Sequence, residues 1–419
     1  MLSPPPPRPP SPEMLRSLLH SRVRLPPFRS LSTAAIPLPT RSSRAVGLWL
    51  SGTAAGVFAM VALGGVTRLT RSGLSIVEWR PEGEALPRTE TEWAVAFKRY
   101  QAFPEYARVN SRMTLEEFKP IYWMEWAHRA WGRGLGIIFG VPLLAFAAAR
   151  ALPRGIGPRL VGLLALGGAQ GAIGWWMVRS GLEAERFKPT DQVRVSPYRL
   201  ATHLTGAWLL YSGLAWTAMD LLRTPATPTL AGTAAARALR PYVLVAAAAA
   251  GVTVYSGAFV AGNDAGHAFN DWPFFAGQLV PEGIWDATLG VRNFFENTAT
   301  VQFDHRMLAY TTLTTASIAA VAAVRAGPAL PTPVRRSVLV LLGAVCAQAT
   351  LGVLTLVLYV PVHLGAAHQA GALATWTAAL WSLHALRAAG RGLGGVVIPR
   401  PLVASGLLVC AAAPSPKDE

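Results

Sequence analysis

Eight apolar runs of about 20 residues each constrain this chain more than any other feature. They lie at roughly 45–64, 130–149, 159–178, 200–221, 240–261, 305–325, 336–360 and 365–387. At about 1.5 Å per residue, each run is long enough to cross roughly 30 Å of hydrocarbon. No water reaches that layer, so the backbone must satisfy its own hydrogen bonds, and the runs read as helices. Composition agrees, with 52% of the residues apolar and only 14% charged. A further apolar stretch at 396–413 is interrupted by Pro399 and Pro401 and reads as a surface or disordered segment, not a ninth crossing.

The net charge of +16 does not point to nucleic acid. The basic residues are spread over short loops and the N-terminal tail, with no basic patch interleaved with aromatics. They report topology, because Lys and Arg collect on the side that is not translocated. Arg150, Arg154 and Arg159 follow the second run, Arg223, Arg237 and Arg240 the fourth, and Arg325, Arg335 and Arg336 the sixth. The alternate loops differ. Loop 65–129 is nearly balanced, and loop 262–304 sets Asp264, Asp271, Glu282, Asp286, Glu296 and Asp304 against Arg292. Both termini are therefore expected on the positive side.

Residues 1–44 form a separate region, rich in Arg, Ser and Pro, with Glu13 as its single acid. That composition is expected of a mitochondrial transit peptide, which would put the positive side in the matrix. The two cysteines, Cys346 and Cys410, form no Cys-x-x-Cys pair, so neither zinc nor a disulfide framework is indicated.

The runs also repeat. His128-Arg129 recurs as His305-Arg306, Ala169-Gln170 as Ala347-Gln348, and His203 within Ala-Thr-His-Leu-Thr-Gly-Ala as His368 within Ala-Ala-His-Gln-Ala-Gly-Ala. The spacings are 177 positions for the first histidine pair, 178 for the glutamines and 165 for the second histidine pair. The expected fold is an all-α polytopic membrane protein whose eight transmembrane helices form two pseudo-symmetric four-helix bundles, a unit used twice in one orientation. The expected boundaries are 45–222 and 240–388, with a tail over 389–419. The four histidines fall at the outer ends of the second, fourth, sixth and eighth helices, at one depth. Imidazole is the usual axial ligand of haem iron, and facing helices can hold a haem between two of them. Two haem sites are expected, His128 with His203 and His305 with His368.

The halves are not equal. Glu125 precedes His128 by three residues, one face of a helix that extends so far, whereas its counterpart Gln302 cannot ionise. A carboxylate beside one of two haems suggests that this site reacts and the other passes electrons. The first half also carries the longer outer loops. Arg68 and Arg71, and Arg129 and Arg306 beside the ligands, are candidate partners of haem propionates through charge-assisted hydrogen bonds. Trp123, Trp126 and Trp131 are candidate porphyrin neighbours. His20, His267, His363 and His384 have no counterpart in the other half and are not expected to be ligands.

Five segments carry a resemblance to a known family: Gly-Gly-Val-Thr-Arg-Leu-Thr-Arg-Ser-Gly-Leu-Ser-Ile-Val-Glu-Trp-Arg-Pro (64–81), Glu-Trp-Ala-His-Arg-Ala-Trp-Gly-Arg (125–133), Ala-Gly-Asn-Asp-Ala-Gly (261–266), Val-Gln-Phe-Asp-His-Arg (301–306) and Ala-Ala-His-Gln (366–369). In this order they resemble haem A synthase over about residues 45–388. The resemblance implies an oxidoreductase that converts a porphyrin methyl group of haem O into the formyl group of haem A, for cytochrome c oxidase assembly. It implies haem b on His305 and His368, substrate haem on His128 and His203, and an essential glutamate at Glu125. It further implies a mitochondrial inner-membrane protein with a ferredoxin-type electron donor, association with haem O synthase, and a homo-oligomer. Many bacterial members carry a cysteine pair in the first outer loop; Ile76 and Val77 occupy that stretch here, as in the mitochondrial and proteobacterial-type subgroup. The alternatives to an enzyme are a dihaem cytochrome b that only transfers electrons, and a haem transporter or chaperone. One ligand per helix at one depth disfavours the first, and the Glu125/Gln302 difference argues against the second.

Overall fold

A computed structural model describes residues 41–80, 82–187, 192–223 and 230–390. The expected transit peptide and the 396–413 segment lie outside the described residues. Each of the eight apolar runs is a helix, and each helix begins before its apolar window. They are α1 (Arg41–Leu69), α4 (Leu115–Ala148), α5 (Gly157–Leu182), α6 (Pro197–Leu222), α7 (Leu230–Gly262), α9 (Thr298–Arg325), α10 (Thr332–Val357) and α11 (Val362–Gly390). Three short helices lie between them: α2 (Glu90–Gln101), α3 (Pro104–Arg108) and α8 (Asn293–Glu296).

Six of the eight long helices are long and apolar enough to cross a membrane by length and composition; α6 and α11, of similar length, are not among the six. Packing accounts for the difference. These two helices meet at the centre of the molecule, where side chains face protein rather than lipid and polar groups find partners. Trp208 of α6 and Trp376 of α11 have ring centroids 4.5 Å apart. Trp376 Nε1 donates to Ser212 Oγ at 2.8 Å, and the hydroxyls of Tyr211 and Thr377 are 2.7 Å apart. At the far end of the same seam Asp220 meets His384 and Arg387, each at 3.1 Å.

The packing scheme repeats. In the first half α1 packs on α4 and α6, and α5 on α4 and α6; in the second, α7 packs on α9 and α11, and α10 on α9 and α11. The contacts between halves follow the same symmetry, since α1 touches α11 as α7 touches α6. Close approach there depends on small residues. A Cβ on Gly262 would lie 2.9 Å from Pro197 Cα, and one on Gly365 would lie 2.8 Å from a Leu69 methyl carbon. On α1, Val46, Leu50, Ala54, Val57 and Val61 form one buried stripe at helical spacing. Ile137, Ile138, Val141 and Leu144 of α4 face outward, as lipid-facing side chains do.

The sequence pattern places the start of the second transmembrane run near residue 130, but α4 begins at Leu115. The cause is a capping box: Thr114 Oγ1 accepts from Glu117 N at 3.3 Å, and Glu117 Oε2 accepts from Thr114 N at 2.8 Å. Thr89 and Glu92 form the same box at the start of α2. Tyr100 of α2, and Phe118 and Tyr122 of α4, then form a small aromatic core with Ile76. The expected long loop is thus a folded cap on the first half.

Candidate functional site

The four histidines lie near the same end of the bundle. His203, His305 and His368 are the seventh, eighth and seventh residues of α6, α9 and α11, and His128 is the fourteenth of the extended α4. The structure brings them together as the repeat pairs them. The His305 and His368 rings face each other with centroids 6.4 Å apart and planes at 83°. A metal held between two imidazoles at about 2.0–2.1 Å, with about 1.2 Å from nitrogen to ring centre, requires a separation of roughly 6.4 Å. The observed separation is the one that two imidazoles sharing a metal ion require. The His128 and His203 side chains are near neighbours.

Each ring rests against a glycine of the neighbouring helix, a feature the sequence analysis missed. A Cβ on Gly64, Gly174, Gly257 or Gly352 would come within 3.0, 3.1, 3.2 and 2.9 Å of Cε1 of His128, His203, His305 and His368, respectively. Gly174 and Gly352 are 178 positions apart, the interval of the glutamine pair, so the signal was present in the repeat.

The surroundings of the rings differ between halves. Ser256 Oγ lies 2.8 Å from His305 Nδ1, and Gln348 Nε2 lies 3.0 Å from His368 Nδ1 and 2.8 Å from the His368 carbonyl oxygen. Nδ1 of His128 and of His203 is buried without a hydrogen-bond partner. Both amide atoms of Gln170, the counterpart of Gln348, are also unpartnered.

Glu125 is 2% exposed and fully engaged. Its Oε2 accepts from Ser75 Oγ at 2.7 Å and Ile76 N at 2.8 Å, and its Oε1 accepts from Arg129 Nη2 at 2.6 Å. Arg129 also donates to the Ile76 and Glu78 carbonyls. In the second half, Gln302 Nε2 donates to the carbonyls of Ala265 and Phe269, and Arg306 to those of Phe269 and Phe274. Arg306 also lies 4.0 Å over the Phe275 ring. Both acid-or-amide/arginine pairs thus fasten the loop that precedes their own helix, and two of the three hydrogen bonds of Arg129 and of Arg306 go to backbone carbonyls. Arg68 crosses between halves to Asp264 Oδ1 at 2.7 Å and the Ala261 carbonyl at 2.9 Å, leaving its buried Nε without a partner. Arg71 is exposed, on a residue with φ of 53°. Trp126 Nε1 donates to Glu84 O and Trp131 Nε1 to Gly56 O, while Trp123 is half exposed. His267 and His363 are exposed, and His384 sits at the opposite end with Asp220.

A second buried carboxyl lies in the cap and was not anticipated. Glu105 is 5% exposed and accepts from the Tyr100 hydroxyl at 3.0 Å, which itself accepts from Asn110 Nδ2 at 2.7 Å. Burial raises its pKa to about 7; the charge of Glu125 adds to this, against the Tyr100 hydrogen bond and Arg71 and Arg68. Only an apolar neighbourhood in three dimensions reveals such a group, because Pro-Glu-Tyr reads as a surface turn.

Comparison with known proteins bears on this arrangement. Residues 47–380 match the family model COX15-CtaA, described as cytochrome oxidase assembly protein. The chain belongs to this family. Curated relatives cover most of it. "Heme A synthase COX15" of Arabidopsis thaliana is 50% identical over 345 residues, 82% of this chain and 74% of the relative. "Heme A synthase" of Parvibaculum lavamentivorans is 45% identical over 354 residues, 84% of this chain and 97% of the relative. The same-named protein of Nitrosospira multiformis is 42% identical over 362 residues, or 85% and 99%. The COX15-CtaA match spans all four histidines, Glu125 and both loop-fastening arginines.

Proposed function

We propose that this chain is a haem A synthase of the mitochondrial inner membrane, with eight transmembrane helices and both termini in the matrix. The observation that carries the reading is the pair of matched histidine sites, of which one has a buried carboxylate where the other has an amide. The second half, through His305 and His368, would hold haem b, which supplies one-electron redox chemistry when bound. The first half, through His128 and His203, would hold the substrate haem O. Its methyl group would be hydroxylated twice, each time taking one oxygen atom from dioxygen while two electrons from the donor and two protons reduce the other to water, and the resulting aldehyde hydrate would lose water to give the formyl group.

The protein's own part is to bind, orient and move protons. The glycines at 64 and 174 leave room for the imidazoles to rest against the helix backbone. The Glu125 carboxylate, held by Ser75, Ile76 and Arg129, would assist proton movement at the reacting site, accepting and passing on a proton at Oε1 or Oε2 as its hydrogen bonds rearrange. Gln302 cannot do so, which supports the first half as the reacting one. Propionate binding falls to Arg71 and the remaining donor of Arg68, with Arg129 and Arg306 acting through the loops they fasten. A ferredoxin-type donor supplies electrons, and haem O synthase supplies the substrate, within a homo-oligomer.

The test is expression in a cell that makes haem O but lacks its own haem A synthase, followed by haem extraction. Haem A is expected. Unchanged haem O beside well-folded protein would overturn the reading.

A further inference from the structure

Superposing the two halves through their histidine–glycine contacts gives an internal control that the chain carries within itself. The Cβ position of Gly257 lies 3.2, 3.8 and 4.0 Å from Cε1, Nδ1 and Nε2 of His305; that of Gly64 lies 3.0, 3.7 and 3.9 Å from the same atoms of His128. The two contacts are the same, so the residues preceding the glycines correspond: Ser256 in the second half, Leu63 in the first. One turn earlier Thr253 corresponds to Met60, and on the ligand helix Thr312 corresponds to Leu135, at the 177-residue interval of the histidines.

Behind His305 this makes a hydroxyl cluster. Thr253 Oγ1 lies 2.8 Å from Thr312 Oγ1, and Ser256 Oγ donates to Thr253 O at 2.8 Å. A hydroxyl has one hydrogen, and that of Ser256 is spent on the Thr253 carbonyl. With that hydrogen on the Thr253 carbonyl, the 2.8 Å contact with His305 Nδ1 is one in which the ring donates, which puts the ring proton on Nδ1 and leaves Nε2 with its lone pair. A ligand imidazole held in this way has a fixed tautomer, a fixed ring angle and raised basicity. His128 has Met60, Leu63 and Leu135 in the same places, and its Nδ1 is unpartnered. The second ligand pair differs in the same sense, since Gln348 reaches His368 whereas Gln170 makes no bond to His203.

We propose that Ser256 is a positioning residue that makes the second-half site a permanent haem site, and that Leu63, by leaving His128 untethered, makes the first-half site an exchangeable one. The proposal rests on the reading that the second half holds the resident haem and the first half the substrate. It adds which ligands are locked and by what, and it places the loosely held ligand in the half where haem must enter and leave.

The experiment follows haem release, not turnover. Detergent-purified chain is mixed with excess haem-free globin, and transfer is followed by absorbance, with the haem types identified by extraction. Ser256→Ala is expected to speed release of haem b about 10- to 100-fold, the usual effect of losing such a ligand partner, and to shift the reduction potential of that haem. Ser256→Thr, which keeps the hydroxyl, restores slow release. Leu63→Ser is expected to slow release from the first half. A Ser256→Ala protein with wild-type release and potential would overturn the proposal, as would a Leu63→Ser protein whose first-half release is unchanged. Failure of the underlying assignment looks different: His305→Ala would keep haem b, and His128→Ala would lose it.

Discussion

Glu105 offers the most quantitative test of the structure. In the unfolded chain it titrates at the ordinary value of 4.5; in the folded cap burial raises this to about 7. The folded state thus holds the proton more tightly, and the sign follows: the stabilisation is fully present below pH 4.5, declines as the pH rises, and is gone once the folded carboxyl ionises near pH 7. At about 1.4 kcal/mol per unit the total is about 3 kcal/mol. The cap is a local layer around Tyr100 and Phe118, so the change should appear as easier opening of α2 and α3, not as global unfolding. Hydrogen exchange of the α2 and α3 amides, corrected for intrinsic rate, should lose between tenfold and a hundredfold of protection from pH 5 to pH 8. Glu105→Gln keeps an acceptor for Tyr100 and cannot ionise, so its protection should stay level over that range. If this variant and the wild type share one pH profile, Glu105 is not the titrating group and the argument from its burial fails.

Other expectations are read more directly. Glu125→Gln leaves an amide that cannot accept from Ser75, Ile76 and Arg129 together, so the 72–78 loop should loosen by about 1–3 kcal/mol, seen as faster proteolysis there. Extracted haem should remain haem O or a hydroxylated intermediate, while the haem b spectrum persists; normal haem A output would remove Glu125 from the chemistry. Gln302→Glu would set a carboxylate against the carbonyls of Ala265 and Phe269, and a thermal midpoint at or above wild type would contradict the hydrogen-bond assignment. Gly352→Val must displace the His368 ring and should lower the haem b content of purified protein, whereas Gly343→Ala, which meets no neighbour within 4 Å, should not. Arg68→Ala removes a pair that is roughly a quarter exposed, so its stability cost should stay near 1 kcal/mol or less, checked by thermal melting.

The fold was legible where the physics is local and repeated. Apolar length gave eight helices, because hydrocarbon admits little else, and the recurrence of His-Arg and Ala-Gln gave their pairing. Helix ends were harder to read: α4 reaches back to Leu115 because Thr114 and Glu117 cap it, and a hydropathy window does not register caps. The histidine positions were readable, but their partners were not. Arg129 and Arg306 lie beside ligands in sequence and were expected to face propionates; in three dimensions they reach back to carbonyls of loops more than 30 residues distant. Ser256 and Leu63 carry no signal in isolation and gain meaning only when the halves are overlaid through Gly257 and Gly64.

The contact between α6 and α11 has a consequence for how such a chain can diverge. Each of these helices contributes one histidine to its own pair, and together they form the central seam through Trp208 and Trp376. The spacing between the two pairs is therefore set by helix packing, with α6 on α11 flanked by α1 on α11 and α7 on α6. At the histidine end the Arg68–Asp264 pair adds a tie between the halves. Insertions can enlarge the cap of one half, change what roofs its pocket and alter what enters, while the gap across which the halves communicate stays the same.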